Sequence, residues 1–81
     1  MTVKVNFPKS GMGIEDGTIA RWLKAVGDRV EEGEVIVEIE TAKALQEVQA
    51  PASGTLAQIV CGEGVTAAVN STLALIEESP D

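Results

Sequence analysis

An all-β fold is predicted for this 81-residue chain by three observations. Short runs rich in Val, Ile, Thr and Leu are cut apart by Gly, Pro and acidic turns, which is the pattern of strands. With a single Trp and a single Phe, the core must be assembled from Val, Ile, Leu and Ala. The third observation is an internal repeat. Gly17-Thr18-Ile19-Ala20 answers Gly54-Thr55-Leu56-Ala57 at an offset of 37. The same offset pairs Gly27 with Gly64, Ile36 with Leu73, Ile39 with Ile76 and Glu40 with Glu77. Two copies are too few for a solenoid, so the expected arrangement is two half-domains packed on each other.

The elements follow in order from this repeat. The first strand is expected at Val3–Phe7, and Val5-Asn6-Phe7-Pro8 is answered by Val48-Gln49-Ala50-Pro51 at an offset of 43. The first copy therefore carries six extra residues, in a loop from Lys9 to Asp16 made irregular by Gly11 and Gly13. Further strands are expected at Thr18–Leu23, Val35–Thr41, Ala44–Gln49, Thr55–Cys61 and Leu73–Glu77. Short pairing segments near Arg29–Val30 and Ala67–Val69 complete each copy. Val35, Val37 and Ile39 alternate with Ile36, Glu38 and Glu40, which predicts one apolar face and one partly wet face. Gly33 and Asn70 are equivalent, and both residue types tolerate positive φ, so the same turn is expected in both halves. The domain is expected to span 1–77, with 78–81 as a tail or the start of a linker.

One segment sets local propensity against the repeat. Glu40 to Val48 contains Ala, Lys, Leu, Gln and Glu, all good helix formers. The repeat decides otherwise. Copy one ends in a strand at Glu40 and copy two opens with one near Ala44, so the link is a hairpin. Its tip, Ala42-Lys43, lacks the Asn-Gly or Asp-Gly that turn geometry usually selects. An exposed lysine there is most simply a solvated surface group. Its chemistry also suits attachment, because a primary amine on a flexible stem can attack an activated carboxyl and form an uncharged amide.

Composition excludes several functions. A net charge of −7 opposes binding to nucleic acid, which requires Lys and Arg to displace counterions. The same charge favours solubility and a monomeric domain, and could steer basic partners. With no histidine, neither a Ser-His-Asp nor a Cys-His arrangement is available, and a single cysteine excludes a multi-thiolate zinc site. No catalytic residue and no metal ligand is therefore expected. Cys61 can form no intramolecular disulfide, which fits a reducing, cytoplasmic setting. No apolar run approaches the roughly 20 residues that span a bilayer, and no signal-like segment opens the chain, so no membrane partner is expected.

Glu40-Thr41-Ala42-Lys43-Ala44 resembles the attachment motif Glu-Thr-Asp-Lys-Ala of lipoyl domains in the 2-oxo acid dehydrogenase acyltransferases. The resemblance extends over nearly the whole chain. It takes in Phe7-Pro8-Lys9, Gly17-Thr18-Ile19, Trp22-Leu23-Lys24, Gly27-Asp28, Val30, Gly33, the turn from Pro51 to Gly54, Gly64, and Leu73 to Ile76. It implies a flattened barrel, or sandwich, of two four-stranded antiparallel sheets with two-fold pseudo-symmetry. It further implies that Lys43 carries lipoic acid in amide linkage, installed by a lipoate ligase or a lipoyl/octanoyl transferase. The implied partners in catalysis are a thiamine-diphosphate dehydrogenase component, an acyltransferase core and a flavin-dependent dihydrolipoyl dehydrogenase. Recognition by ligase and partners would fall on Glu40, Thr41, Ala42 and Ala44, with Met12, Ile14 and Glu15 of the long loop beside them. Ala42 departs from the motif, standing where the resemblance leads one to expect Asp.

A biotin carboxyl carrier domain is the nearest rival reading. Such carriers usually flank their lysine with methionines, whereas here both neighbours are alanine. An unmodified, non-covalent interaction module is a second rival, motivated by Ala42. A free-standing small enzyme is the third, and the missing histidine opposes it. Which 2-oxo acid, or acetoin-like substrate, the parent complex handles is not written in this chain.

Overall fold

The computed structural model describes residues 1–8 and 15–78. Its eight strands are β1 (Thr2–Asn6), β2 (Asp16–Trp22), β3 (Arg29–Val30), β4 (Val35–Glu40), β5 (Leu45–Gln49), β6 (Gly54–Ile59), β7 (Thr66–Ala68) and β8 (Thr72–Glu78). They form two four-stranded antiparallel sheets in the orders β1-β8-β6-β3 and β5-β4-β2-β7. Among the described residues there is no helix, so the repeat outweighs the helix formers between Glu40 and Val48. β8 runs through Glu78, which pairs with Gly54, one residue beyond the expected end of the domain.

The two repeats do not pack as separate halves. Each sheet takes two strands from each copy: β1 and β3 join β8 and β6, while β5 and β7 join β4 and β2. The physical reason is the hairpin. Once β4 turns back at Lys43, β5 must pair with β4, and the second copy is committed to the first copy's sheet. By pseudo-symmetry β1 pairs with β8 in the same register, Val3 opposite Ile76 as Gln46 is opposite Ile39. In each sheet the two central strands come from one copy and the two edge strands from the other.

The core lies between the sheets. Phe7, Ile19, Ile36, Ile39, Leu56, Leu73 and Ile76 are its largest fully buried side chains, each contributing roughly 1.5–3 kcal/mol of burial. Burial repeats with the sequence: β4 and β8 share one pattern over six positions, and β1 and β5 share another. Strict alternation in β4 is not observed. Ile36 and Val37 are both buried while Val35 is half-buried. A register shift between Val35 and Val37 inserts Ile36 as an extra residue, and Leu73 does the same in β8. Equivalent shifts fall at Ala20 in β2 and Ala57 in β6. Each bulge resets which face points inward and bends its strand around the core.

Gly33 and Asn70 both adopt positive φ, at 88° and 71°, so the equivalent turns are the same turn. Cys61 is half-buried at the edge of the core, its thiol 3.7 Å from the Thr72 carbonyl oxygen. It aligns with Lys24 in the repeat, and its packing is that of a small apolar residue.

Two carboxylates tie strand ends together. The Thr2 hydroxyl donates to Glu77 at 3.0 Å, and the terminal ammonium lies 3.3 Å from the same group; these hold Glu77 below the ordinary carboxylate range. Glu34 is lowered by the backbone N–H of Glu31 and by Lys24, whose Nζ lies 3.1 Å away. In both cases the folded state holds its proton less tightly than the unfolded chain. Their contribution is therefore complete above the unfolded carboxylate range and is lost as pH falls through the lowered folded values. Denaturant midpoints should be flat near neutrality and fall in acid. Glu77→Gln, which keeps an acceptor but cannot titrate, should make that acid decline shallower; an unchanged slope would mean that ionisation of Glu77 adds nothing.

Candidate functional site

Lys43 lies in the connection between β4 and β5, where Glu40 pairs with Leu45 and the chain reverses over Thr41, Ala42, Lys43 and Ala44. Among the described residues only Asn70 has positive φ without being glycine, so Ala42 and Lys43 keep negative φ. That explains the missing Asn-Gly. Primed hairpin turns need positive φ at their central residues, and this turn is closed in another way.

Thr41 closes it. Its backbone N–H donates to the Ala44 carbonyl at 3.0 Å, and its hydroxyl donates to the same oxygen at 2.7 Å. The hydroxyl oxygen also accepts from the N–H groups of Ala44, at 3.1 Å, and Lys43, at 3.3 Å. One side chain thus stands in for the carbonyl that would ordinarily accept across the turn. Nothing in the motif's spacing disclosed this role; the signal was a hydroxyl residue at the first position of a turn without glycine. Thr41→Val keeps shape but removes three hydrogen bonds. We expect it to cost about 1 kcal/mol, as hydrogen bonds at an exposed turn do. Backbone amide exchange at Lys43 and Ala44 should quicken more than exchange in the core strands.

Ala42, Lys43 and Ala44 are exposed, Thr41 is half-buried, and Glu40 is exposed at the end of β4. Among the described residues no carboxylate pairs with the Lys43 ammonium. Lys24, by contrast, is tied to Glu34. The backbone of Lys43 is therefore fixed while its stem projects freely, a geometry suited to presenting an amine to an enzyme. Glu15 is exposed and lies three residues before Thr18, which pairs with Glu40, so it sits at the same end of the sheet as the turn. Met12 and Ile14 lie outside the described residues.

Beneath the turn, Gln46 occupies the inward position that Val3 occupies in the other copy. Its Oε1 is buried without a hydrogen-bond partner among the described residues. An unmet buried acceptor costs roughly 1–3 kcal/mol. Gln46→Val should therefore raise stability by about 1 kcal/mol in denaturant unfolding, since a β-branched residue suits both the strand and the inner face. A loss of stability would mean the amide is satisfied by a group this packing does not reveal.

Two packed four-stranded sheets, one of them carrying a hairpin whose tip holds a lysine with no ion-pair partner among the described residues, define a domain built to present an amine. The chain belongs to the biotin/lipoyl-attachment family, whose model, described as "Biotin-requiring enzyme", matches residues 3–76. It is 46% identical over 83 residues to the dihydrolipoyllysine-residue acetyltransferase component of the pyruvate dehydrogenase complex of Rickettsia bellii. That match covers all of this chain and 20% of the relative. It is 43% identical to the dihydrolipoyllysine-residue succinyltransferase component of the 2-oxoglutarate dehydrogenase complex of Staphylococcus saprophyticus, covering 93% of this chain and 18% of the relative. The chain thus spans about a fifth of the length of these relatives.

Among solved structures, the lipoyl domain of the Azotobacter vinelandii 2-oxoglutarate dehydrogenase complex is 42% identical with a TM-score of 0.68. There the match covers 98% of this chain and 99% of that domain. Urea carboxylase of Kluyveromyces lactis contains a similar unit, with a TM-score of 0.80 and 25% identity over 95% of this chain and 6% of that protein. The fold is thus shared with both, and sequence identity is higher to the lipoyl domain.

Proposed function

We propose that Lys43 is the attachment site for lipoic acid and that the domain works as a swinging-arm carrier in a 2-oxo acid dehydrogenase-type complex. The observation that carries this reading is the Lys43 turn: a tip closed by Thr41, from which an ammonium projects with no carboxylate partner among the described residues. Identities of 42–46% to a lipoyl domain and to an acetyltransferase component support lipoyl over biotin. The residues fit the group. Attachment needs an accessible amine on a stem free of ion pairs, and a backbone held still for the modifying enzyme.

In the modification step the neutral Nζ attacks the carbonyl carbon of an activated acyl donor. The new amide forms as the donor's leaving group departs, and the nitrogen's surplus proton passes to base or solvent. When bound, the dithiolane supplies the acyl-transfer and redox chemistry. The chain's own contribution is placement. Thr41 holds the turn, Glu40 and Ala44 border it, and the sheets keep the tip away from the body of the domain. Tethering then raises the local concentration at each partner site to the order of mM. The domain itself contributes no active site in this reading. Its partners would be a lipoate ligase or lipoyl transferase, a thiamine-diphosphate dehydrogenase component, an acyltransferase core and dihydrolipoyl dehydrogenase. A cytoplasmic location belongs to the same proposal, supported by the single free thiol of Cys61.

Biotin attachment is the second reading, favoured by the TM-score of 0.80 to the unit in urea carboxylase. The two separate in one experiment. The unmodified domain is incubated in parallel with lipoate ligase, ATP and lipoate, and with biotin ligase, ATP and biotin. Labelling of Lys43 by the first enzyme alone is expected; labelling by the second alone would reverse the reading. Ala42→Asp, run beside it, reports what the alanine does to ligase recognition. A domain labelled only as the Asp variant would favour an unmodified interaction module.

A further inference from the structure

Among the described residues, four of the six exposed large apolar side chains, Leu23, Val26, Val60 and Val65, fall in two segments, following β2 and β6, that are equivalent in the repeat; the other two, Met1 and Leu45, lie elsewhere. These segments border an open groove of about 480 Å³, lined by Trp22, Leu23, Val26, Ile59, Gly62 and Glu63 together with Lys24, Ala25 and Asp28. The groove lies where the pseudo-symmetry brings the ends of β2 and β6 together. Trp22 corresponds to Ile59, Ala25 to Gly62 and Val26 to Glu63. It is at the far end of β2 from the lysine turn, since Trp22 pairs with Val37 whereas Thr18 pairs with Glu40.

The walls are fixed and the rim is negative. Trp22 Nε1 donates to the Cys61 carbonyl at 2.8 Å, and the Trp22 backbone N–H donates to Glu63 at 3.0 Å. Asp28 accepts from the Ala25 N–H at 2.9 Å. Among the described residues the one cation lining the groove, Lys24, is neutralised by Glu34. Two carboxylates are thus held in place beside an apolar floor, and gly–acid in the second copy replaces the Ala-Val of the first.

We propose that this groove is a docking site for a basic segment of a partner protein. Such a segment would insert one aliphatic side chain between Trp22, Val26 and Ile59 and set Lys or Arg against Asp28 and Glu63. Charge complementarity selects this occupant over a neutral or acidic one. Seating there leaves the Lys43 turn uncovered, so one partner could hold the domain while another works at the lysine. The inference does not depend on which group Lys43 carries.

The test is an amide and indole NMR titration of the 81-residue chain with the acetylated, amidated peptide Arg-Gly-Leu-Gly-Arg at low salt. Shifts are expected at the Trp22 indole and at Val26, Ile59 and Gly62, with none at Ala42 to Ala44. The matched peptide with Glu in place of Arg should bind at least tenfold more weakly, and so should Ala in place of Leu. Asp28→Asn with Glu63→Gln keeps the two acceptors but removes both charges. That variant should lose most of the affinity while its spectrum elsewhere stays the same. Val26→Asp, at a largely exposed position, should abolish binding without unfolding the domain. Absence of shifts at millimolar peptide would overturn the proposal, as would equal binding of the acidic peptide. So would concentration-dependent shifts of the same residues without peptide, which would make a second copy of the chain the occupant.

Discussion

Lys43→Arg is expected to abolish lipoyl attachment while leaving stability within about 0.5 kcal/mol of the parent. The side chain is exposed at the hairpin tip, and among the described residues no carboxylate pairs with its ammonium. What holds the turn is Thr41, together with the Lys43 backbone N–H, which arginine retains. Arginine also keeps the charge and most of the stem, but its guanidinium is a poor nucleophile because it stays protonated. Modification and stability should therefore separate completely. Lipoylation assays and urea unfolding on the same two proteins check both halves. A large drop in midpoint would show the lysine to be structural.

The largest loss of stability is expected at the other end of the molecule. Gly54 lies in β6 against β8, and a Cβ there would run into the carbonyl oxygen of Glu77. Because the obstacle is backbone, relief requires β6 and β8 to part, and these are two strands of one continuous ladder. Gly54→Ala should cost about 3 kcal/mol, the upper part of the usual overpacking range. Gly17, its repeat equivalent, has a side chain rather than backbone as its nearest obstacle: the Ile39 Cγ2 methyl would lie at 2.6 Å, with the Glu40 carbonyl oxygen at 3.1 Å and the Phe7 ring at 3.2 Å. Gly17→Ala should therefore cost less. Gly62→Ala, which meets nothing within 4 Å, serves as the control and should change stability little. Equal midpoints for the three variants would contradict the packing described here.

The order and approximate limits of all eight strands were legible in the sequence because the repeat checks each element twice. Arg29–Val30 alone would be too short to identify; its equivalence to the segment around Ala67 made it visible. The exchange of strands between copies was not legible, since pairing partners are set in space and the offset of 37 is silent about them. The bulges at Ile36 and Leu73 were missed because period-two reading assumes an uninterrupted ladder. Their trace was present in Val35-Ile36-Val37 and Leu73-Ala74-Leu75-Ile76, runs with too many consecutive apolar residues for one face. At the site, the lysine and its hairpin could be placed from the junction between copies, whereas the work done by Thr41 could not. A threonine's hydroxyl partners depend on turn geometry that composition does not specify. The Trp22 groove was equally hidden, for it arises where two distant segments are brought together by the pseudo-symmetry.

Lys43 remains the position on which the functional reading turns, with Ala42 beside it as the feature that distinguishes this turn from the usual motif. The decisive measurement is the mass of the peptide containing Lys43, isolated from the protein made in its native cell. A lipoyl amide on Lys43 is predicted. A biotinyl amide there, an unmodified Lys43, or a lipoyl group on Lys4, Lys9 or Lys24 instead would contradict it.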